Sequence, residues 1–211
     1  MKTDELVDLL AQGAGPAPRA PLARRFGVVL PAGLALGIIA SVAGLGLMPP
    51  FMWGDPAFWI KLGYAAALCA ACVWLASRLA RPGAPFGKAA WTLGAVAAAM
   101  GLAGVAALLA TPPELRLAYL FGNSVLRCPW AILALSMPTL IGTLWALRDM
   151  APTRPRLTGL AAGLLAGGTG AAAYALACDE TSLTFISLWY SLGIGLAGAV
   201  GSALGPRFLR W

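Results

Sequence analysis

The chain has 211 residues, of which 60% are hydrophobic and only 11% charged, a balance that excludes an ordinary water-soluble domain because too much apolar surface would meet water. The net charge is +7 and there is no histidine, which removes the commonest metal ligand and general base and with them Ser-His or Cys-His nucleophilic chemistry. An all-α integral membrane bundle is predicted, working as something other than an enzyme.

The first 25 residues, "MKTDELVDLLAQGAGPAPRAPLARR", divide into a short cytoplasmic helix and a Pro-rich linker. Thr3 can cap the helix, Asp4, Glu5 and Asp8 carry its acidic charge near the positive end, and Leu6, Leu9 and Leu10 share one face. Gly13 and Gly15 stop it, and Pro16, Pro18 and Pro21 stiffen the spacer that follows. A helix this short needs a surface to lie on. Its apolar face could rest on the bilayer or on the cytoplasmic ends of the spans, but its acidic charge is repelled by anionic lipid, which makes a protein partner the more useful reading.

Residues 26–211 read as a transmembrane domain. A bilayer core of about 30 Å needs about 20 apolar helical residues, and six runs qualify: 26–48, 58–80, 88–110, 125–147, 157–178 and 184–204. The first is too long for a signal-peptide core and is expected as a retained anchor. The fourth contains Arg127 and Pro138, and a kink is expected at the proline. Small residues recur at four-residue spacing in Gly33, Gly37 and Ser41, in Gly159, Gly163 and Gly167, and in Gly193, Ala197, Gly201 and Gly205, the pattern of close helix packing.

Of the 15 lysines and arginines, all but Lys61, Arg116 and Arg127 fall on one side of these spans. That side is taken as the cytoplasm, with both termini inside and a bacterial inner membrane as the setting. The positive charge is thus a topology signal, and direct nucleic-acid binding is not expected. Lys61 lies just inside the outer end of span two, where its stem could snorkel back to the headgroups.

No Asp or Glu lies deep in a span, so the proton relay of a coupled transporter is missing. Of the four cysteines, Cys69 and Cys72 form "CAAC" at mid-depth, where packing is expected. Cys128 opens span four and Cys178 closes span five, both on the outer side. Cys128 reads as a helix N-cap before Pro129 and beside Arg127, which favours its thiolate as nucleophile or soft ligand; Cys178, at a negative helix end beside Asp179 and Glu180, reads as the resolving thiol. With Asp179 or Glu180 the pair could transiently hold a soft divalent metal; no resident cofactor is expected. Sensing, a structural disulfide and plain packing all remain open on these residues alone. Asp179, Glu180 and Thr181 also read as a turn capping span six.

Several segments together resemble one family: "MKTDELVDLL", "ARRF", "LRCPWAILALSMPTL", "WALRDMAPTRPRLTGLAAGLLAG", "YALACDE", "LWYSLGIG" and "GPRFLRW". They are similar to the NrsF family of six-span membrane anti-sigma factors, over nearly the whole chain. The resemblance implies a negative regulator that holds an extracytoplasmic-function sigma factor at the membrane and releases it under metal or oxidative stress. It further implies an outer-face sensor at Cys128 and Cys178, modulated by Arg127, Asp179 and Glu180. The N-terminal helix, through Thr3, Asp4, Glu5, Leu6, Asp8, Leu9 and Leu10, is expected to dock on the sigma factor. Where the family pattern leads one to expect histidine before the second cysteine, this chain has Ala177, leaving thiol chemistry or Cys/carboxylate ligation.

Two other classes are weighed against this reading. A small oligomeric transporter or channel would need polar groups lining a midplane cavity, for which only Thr92, Thr143 and Thr169 offer themselves, each able to bond its own backbone. A membrane thiol oxidoreductase would need a dithiol near the surface, whereas "CAAC" lies at mid-depth. A homo-oligomer is compatible with any of these.

Overall fold

The computed structural model describes residues 3–5, 7, 8, 21–81, 83–150 and 152–209. Among them the regular structure is entirely helical: α1 (Pro21–Leu45), α2 (Pro56–Leu79), α3 (Gly87–Ala110), a short α4 (Arg116–Phe121), α5 (Cys128–Arg148), α6 (Pro155–Ala175) and α7 (Leu183–Phe208). Five of these, α1, α2, α3, α5 and α7, are long and apolar enough to cross a membrane. The sixth predicted span corresponds to α6, whose 21 residues are long enough but diluted in apolarity by glycine. Thr3, Asp4, Glu5, Val7 and Asp8 are helical and exposed. Leu6, Leu9 and Leu10, together with Lys2, Arg19, Arg210 and most of the Pro-rich linker, lie outside the described residues.

Proline and capping side chains set the helix boundaries. Four helices begin with proline or carry it at the second position, where the missing N–H costs nothing. Asp55 caps α2 by accepting from Ala57 N at 2.7 Å. The predicted acidic cap of the last span is instead supplied by Ser182, whose Oγ accepts from Phe185 N at 3.3 Å. Helix α7 opens with a π-helical turn over Ile186–Tyr190. Pro138 lies inside α5, leaving the helix without its N–H toward Ala134.

Helix α6 is the axis of the bundle, in contact with α1, α2, α5 and α7. Its glycines make this packing possible. A Cβ on Gly159 would strike the Gly201 carbonyl and Gly205 Cα, and one on Gly163 would strike the Ala197 carbonyl, so α6 and α7 meet backbone on backbone. Gly193, placed by sequence in the same row, faces Ile132 of α5 instead. Gly33 sits against Thr139, and Gly37 against Ala173 and Leu135. Helix α3 is peripheral, packing on α2 and the start of α7, and presents Trp91, Leu102, Val105 and Leu109 outward.

The core forms two main clusters stacked along the bundle. The one at the basic end joins Phe26, Leu75, Leu79, Leu140, Leu144 and Leu165; the other joins Tyr64, Cys128, Ile132, Tyr174, Cys178, Phe185 and Tyr190. At the basic end Arg25 donates to Asp149 at 2.7 Å and to the Ala146 carbonyl at 3.1 Å, closing α1 onto α5. Arg154 lies over the Phe86 ring, 5.0 Å from its centroid.

Candidate functional site

The opposite end of the bundle gathers the residues that carry chemistry. Helix α6 stops at Ala175, and the chain continues without regular structure through Cys178. Cys178 therefore lies beyond the helix rather than at its last turn, a correction to the expected boundary. At α5 the N-cap is Arg127, and Cys128 is the first helical residue; its N–H already donates to Ser124 O at 2.8 Å. The proposed N-cap role of Cys128 is thus taken by its neighbour.

Both thiols are covered, Cys128 with no exposed surface and Cys178 with 2%. They pack in one cluster with Tyr174 and Tyr190, whose rings lie 5.8 Å apart, and both are free cysteines. A side chain stripped of water lacks the hydration that a surface thiol has. The exposed nucleophile expected at Cys128 is therefore not what this conformation builds. Arg127 is exposed and Cys128 buried, so helix geometry separates the side chains of two adjacent residues.

The two carboxylates also part company. Asp179 is exposed. Glu180 is 8% exposed and turns inward, where Oε1 accepts from Asn123 N at 2.6 Å, Ser124 N at 3.0 Å and Ser124 Oγ at 3.1 Å. This clasp binds the 178–182 segment to the turn that precedes α5. Gly122 at that turn has a φ of +52° and leaves no space for a Cβ, which would meet the Glu180 carboxylate at 2.6 Å. Among the described residues no three His, Cys, Asp or Glu side chains converge on a point where a metal ion could be held. Because Glu180 is committed to the turn and Asp179 faces outward, the two-sulfur, one-carboxylate set expected from sequence is not assembled.

Lys61 is the largest departure. Rather than snorkelling outward, it is 2% exposed, and Nζ donates to the Cys178 carbonyl at 2.8 Å. The same ammonium lies 5.9 Å from the Tyr190 ring centroid. Tyr64, one turn along α2, shares a 2.7 Å hydrogen bond with Ser191 of α7. Tyr190 is fully buried, and its hydroxyl is one of two buried side-chain polar atoms without a hydrogen-bond partner among the described residues. An ionisable residue inside an apolar run was the sequence signal for Lys61. The tyrosines gave none, since Tyr is ordinary near a membrane interface.

Short α4 covers this end from the side. Trp189 Nε1 donates to Leu120 O at 2.8 Å and Ser182 Oγ to Tyr119 O at 2.9 Å. The threonines weighed for a polar pathway are already partnered: Thr92 donates to Lys88 O and Thr143 to Thr139 O, while the Thr169 hydroxyl lies within hydrogen-bond distance of Ala166 O and of Thr139 Oγ1 on α5. At mid-depth Cys72 is buried and Cys69 Sγ approaches Leu165 O at 3.7 Å, both at the face α2 presents to the core.

The sequence profile described as "Negative regulator of sigma F", NrsF, matches residues 10–211. Two relatives align with the whole chain and over their own whole length. One, "Probable anti-sigma-F factor NrsF" from Azospira oryzae, is 37% identical over 222 residues; the other, "Anti-sigma-F factor NrsF" from Caulobacter vibrioides, is 39% identical over 215 residues. No solved structure matches the chain.

Proposed function

The chain belongs to the NrsF family, and from that premise we propose that it is a membrane anti-sigma factor of the bacterial inner membrane, with six spans and both termini in the cytoplasm. It sequesters an extracytoplasmic-function sigma factor and releases it on metal or oxidative stress sensed by Cys128 and Cys178. The observation that carries this reading is full-length similarity to two proteins named as anti-sigma-F factors. Five helices apolar enough to cross a membrane support the location, and the gathering of most cations at one end supports the orientation. Its role is regulatory rather than enzymatic.

The docking element is the N-terminal helix. Its described residues are exposed, and its acidic charge at Asp4, Glu5 and Asp8 complements the basic surface with which a sigma factor contacts polymerase or DNA. The leucine face of Leu6, Leu9 and Leu10 supplies apolar area. At the outer end, an oxidant could take two electrons and two protons from the thiols to close a sulfur–sulfur bond, or a soft divalent metal could displace the two protons and bridge the thiolates. Either event draws α5 toward the end of α6. Those helices are joined at the cytoplasmic face by "RDMAPTRPR". A coupling of about 1–3 kcal/mol changes sigma occupancy roughly 5- to 150-fold.

Co-purification of the sigma factor with membranes tests the docking half: deletion of residues 1–12 is expected to abolish it, and retention after the deletion would move the contact to the cytoplasmic loops. Cys128→Ser/Cys178→Ser tests the sensing half. Stress-induced expression of a sigma-dependent reporter is expected to disappear, and unchanged induction would rule the pair out as the sensor.

A further inference from the structure

Lys61 has no function in the reading above, yet it occupies an unusual position. Among the described residues Lys61 and Glu180 are the only buried charged side chains, and Glu180 has three donors to satisfy it. Lys61 has, among the described residues, one carbonyl and the face of one ring, and makes no ion pair with them. An ammonium has three donors to place. A lysine one turn inside an outer helix end could have reached the headgroups at little cost. Its inward turn commits a charge to holding a single peptide carbonyl, and that carbonyl belongs to Cys178.

Cys178 is thereby fixed from two directions. Its side chain packs with Cys128, Tyr174 and Tyr190, while its carbonyl is held from α2. A disulfide or bridging metal requires the Cys178 sulfur to move toward Cys128, and that movement turns the peptide whose oxygen Lys61 holds. Helix α2 runs unbroken from Lys61 to Leu79. Beyond it, Arg81 lines one groove with Phe86 and Arg154 at the basic end.

We propose that Lys61 is the positioning residue of the outer cysteine site: it holds the Cys178 peptide in the resting arrangement and passes any displacement of that residue to α2, and through it to the cytoplasmic face. This rests on the cysteine-sensor reading. The released state is one in which the bond from Lys61 to the Cys178 carbonyl is lost and α2 is freed from the end of α6.

The full chain in native membranes, with its sigma partner, supplies the test. Cys178 and Cys72 are labelled with a maleimide and mapped by mass spectrometry, and a sigma-dependent reporter is read with and without stress. Lys61→Met removes the donor and keeps the bulk. It is expected to raise the Cys178 labelling rate roughly tenfold or more, to raise unstressed reporter output and to flatten induction, with Cys72 labelling and membrane abundance unchanged; Lys61→Arg should restore part of each. Wild-type labelling and induction in Lys61→Met overturn the proposal. So does a matching rise at Cys72, which would mean that the bundle had merely loosened. Should Lys61→Met not accumulate, Lys61→Leu, which also lacks a donor, carries the same test. Induction that survives in Cys128→Ser/Cys178→Ser removes the sensor reading itself, whereas loss of induction there with normal behaviour in Lys61→Met removes only the role of Lys61.

Discussion

Glu180 satisfies three donors with one carboxylate oxygen, and the turn at 122–124 takes its shape from that contact. Glu180→Ala strands the Asn123 and Ser124 N–H groups, and the half-open setting of the turn lets water recover part of the loss. A decrease in stability of about 1–2 kcal/mol is expected, measurable as a lowered melting temperature in detergent. Glu180→Gln keeps an acceptor oxygen and should lose less. Asp179→Ala should change nothing measurable, because that side chain is exposed. Equal melting temperatures for Glu180→Ala and Asp179→Ala would contradict the clasp. Sequence presents these two carboxylates as equivalent neighbours, since both follow Cys178. Only the direction of each side chain, set by an irregular backbone after Ala175, makes one structural and the other free to face solvent.

At the scale of elements, the contrast between α6 and α3 shows how similar compositions take different places. Both are rich in glycine and alanine, but Gly159, Gly163 and Gly167 of α6 meet the backbone of α7, while Gly94 and Gly101 of α3 have nothing near them. Gly163→Leu should force α6 from α7 and cost roughly 1–3 kcal/mol or more. Gly101→Ala should be neutral or add up to about 1 kcal/mol by favouring the helix. Thermal unfolding of the two variants in the same detergent checks the pair, and comparable effects would mean that the α6–α7 seam is not the close approach described. Four-residue glycine spacing marks such seams in sequence, yet Gly193 shows its limit: it has the spacing and packs against Ile132 of another helix. Spacing identifies a small-residue face without naming what meets it.

For the whole molecule, the separation of charge predicts topology. Fusions of a fluorescent protein to either terminus should be fluorescent, and alkaline phosphatase inserted after Pro113 should be active, because the loop between α3 and α5 is expected outside. Activity of the phosphatase at the C-terminus would reverse the orientation. At the basic end the ion pair of Arg25 with Asp149 joins helices that are far apart in sequence, and at the opposite end Lys61 does the same without a carboxylate.

The sequence by itself determined the all-helical class of the protein, the positions of its long helices to within a few residues, the connections in which its cations gather and its family. These properties depend on composition, local periodicity and motif, which are carried by contiguous residues. The tertiary structure alone decided that Lys61 turns inward, that Glu180 is a clasp, that Tyr190 lies against the cysteines, and that both thiols are covered. Each depends on which helices become neighbours, and in an apolar chain many pairings bury similar surface. The choice falls to close backbone approach and to the few polar groups that must find partners, and neither is written in any one segment.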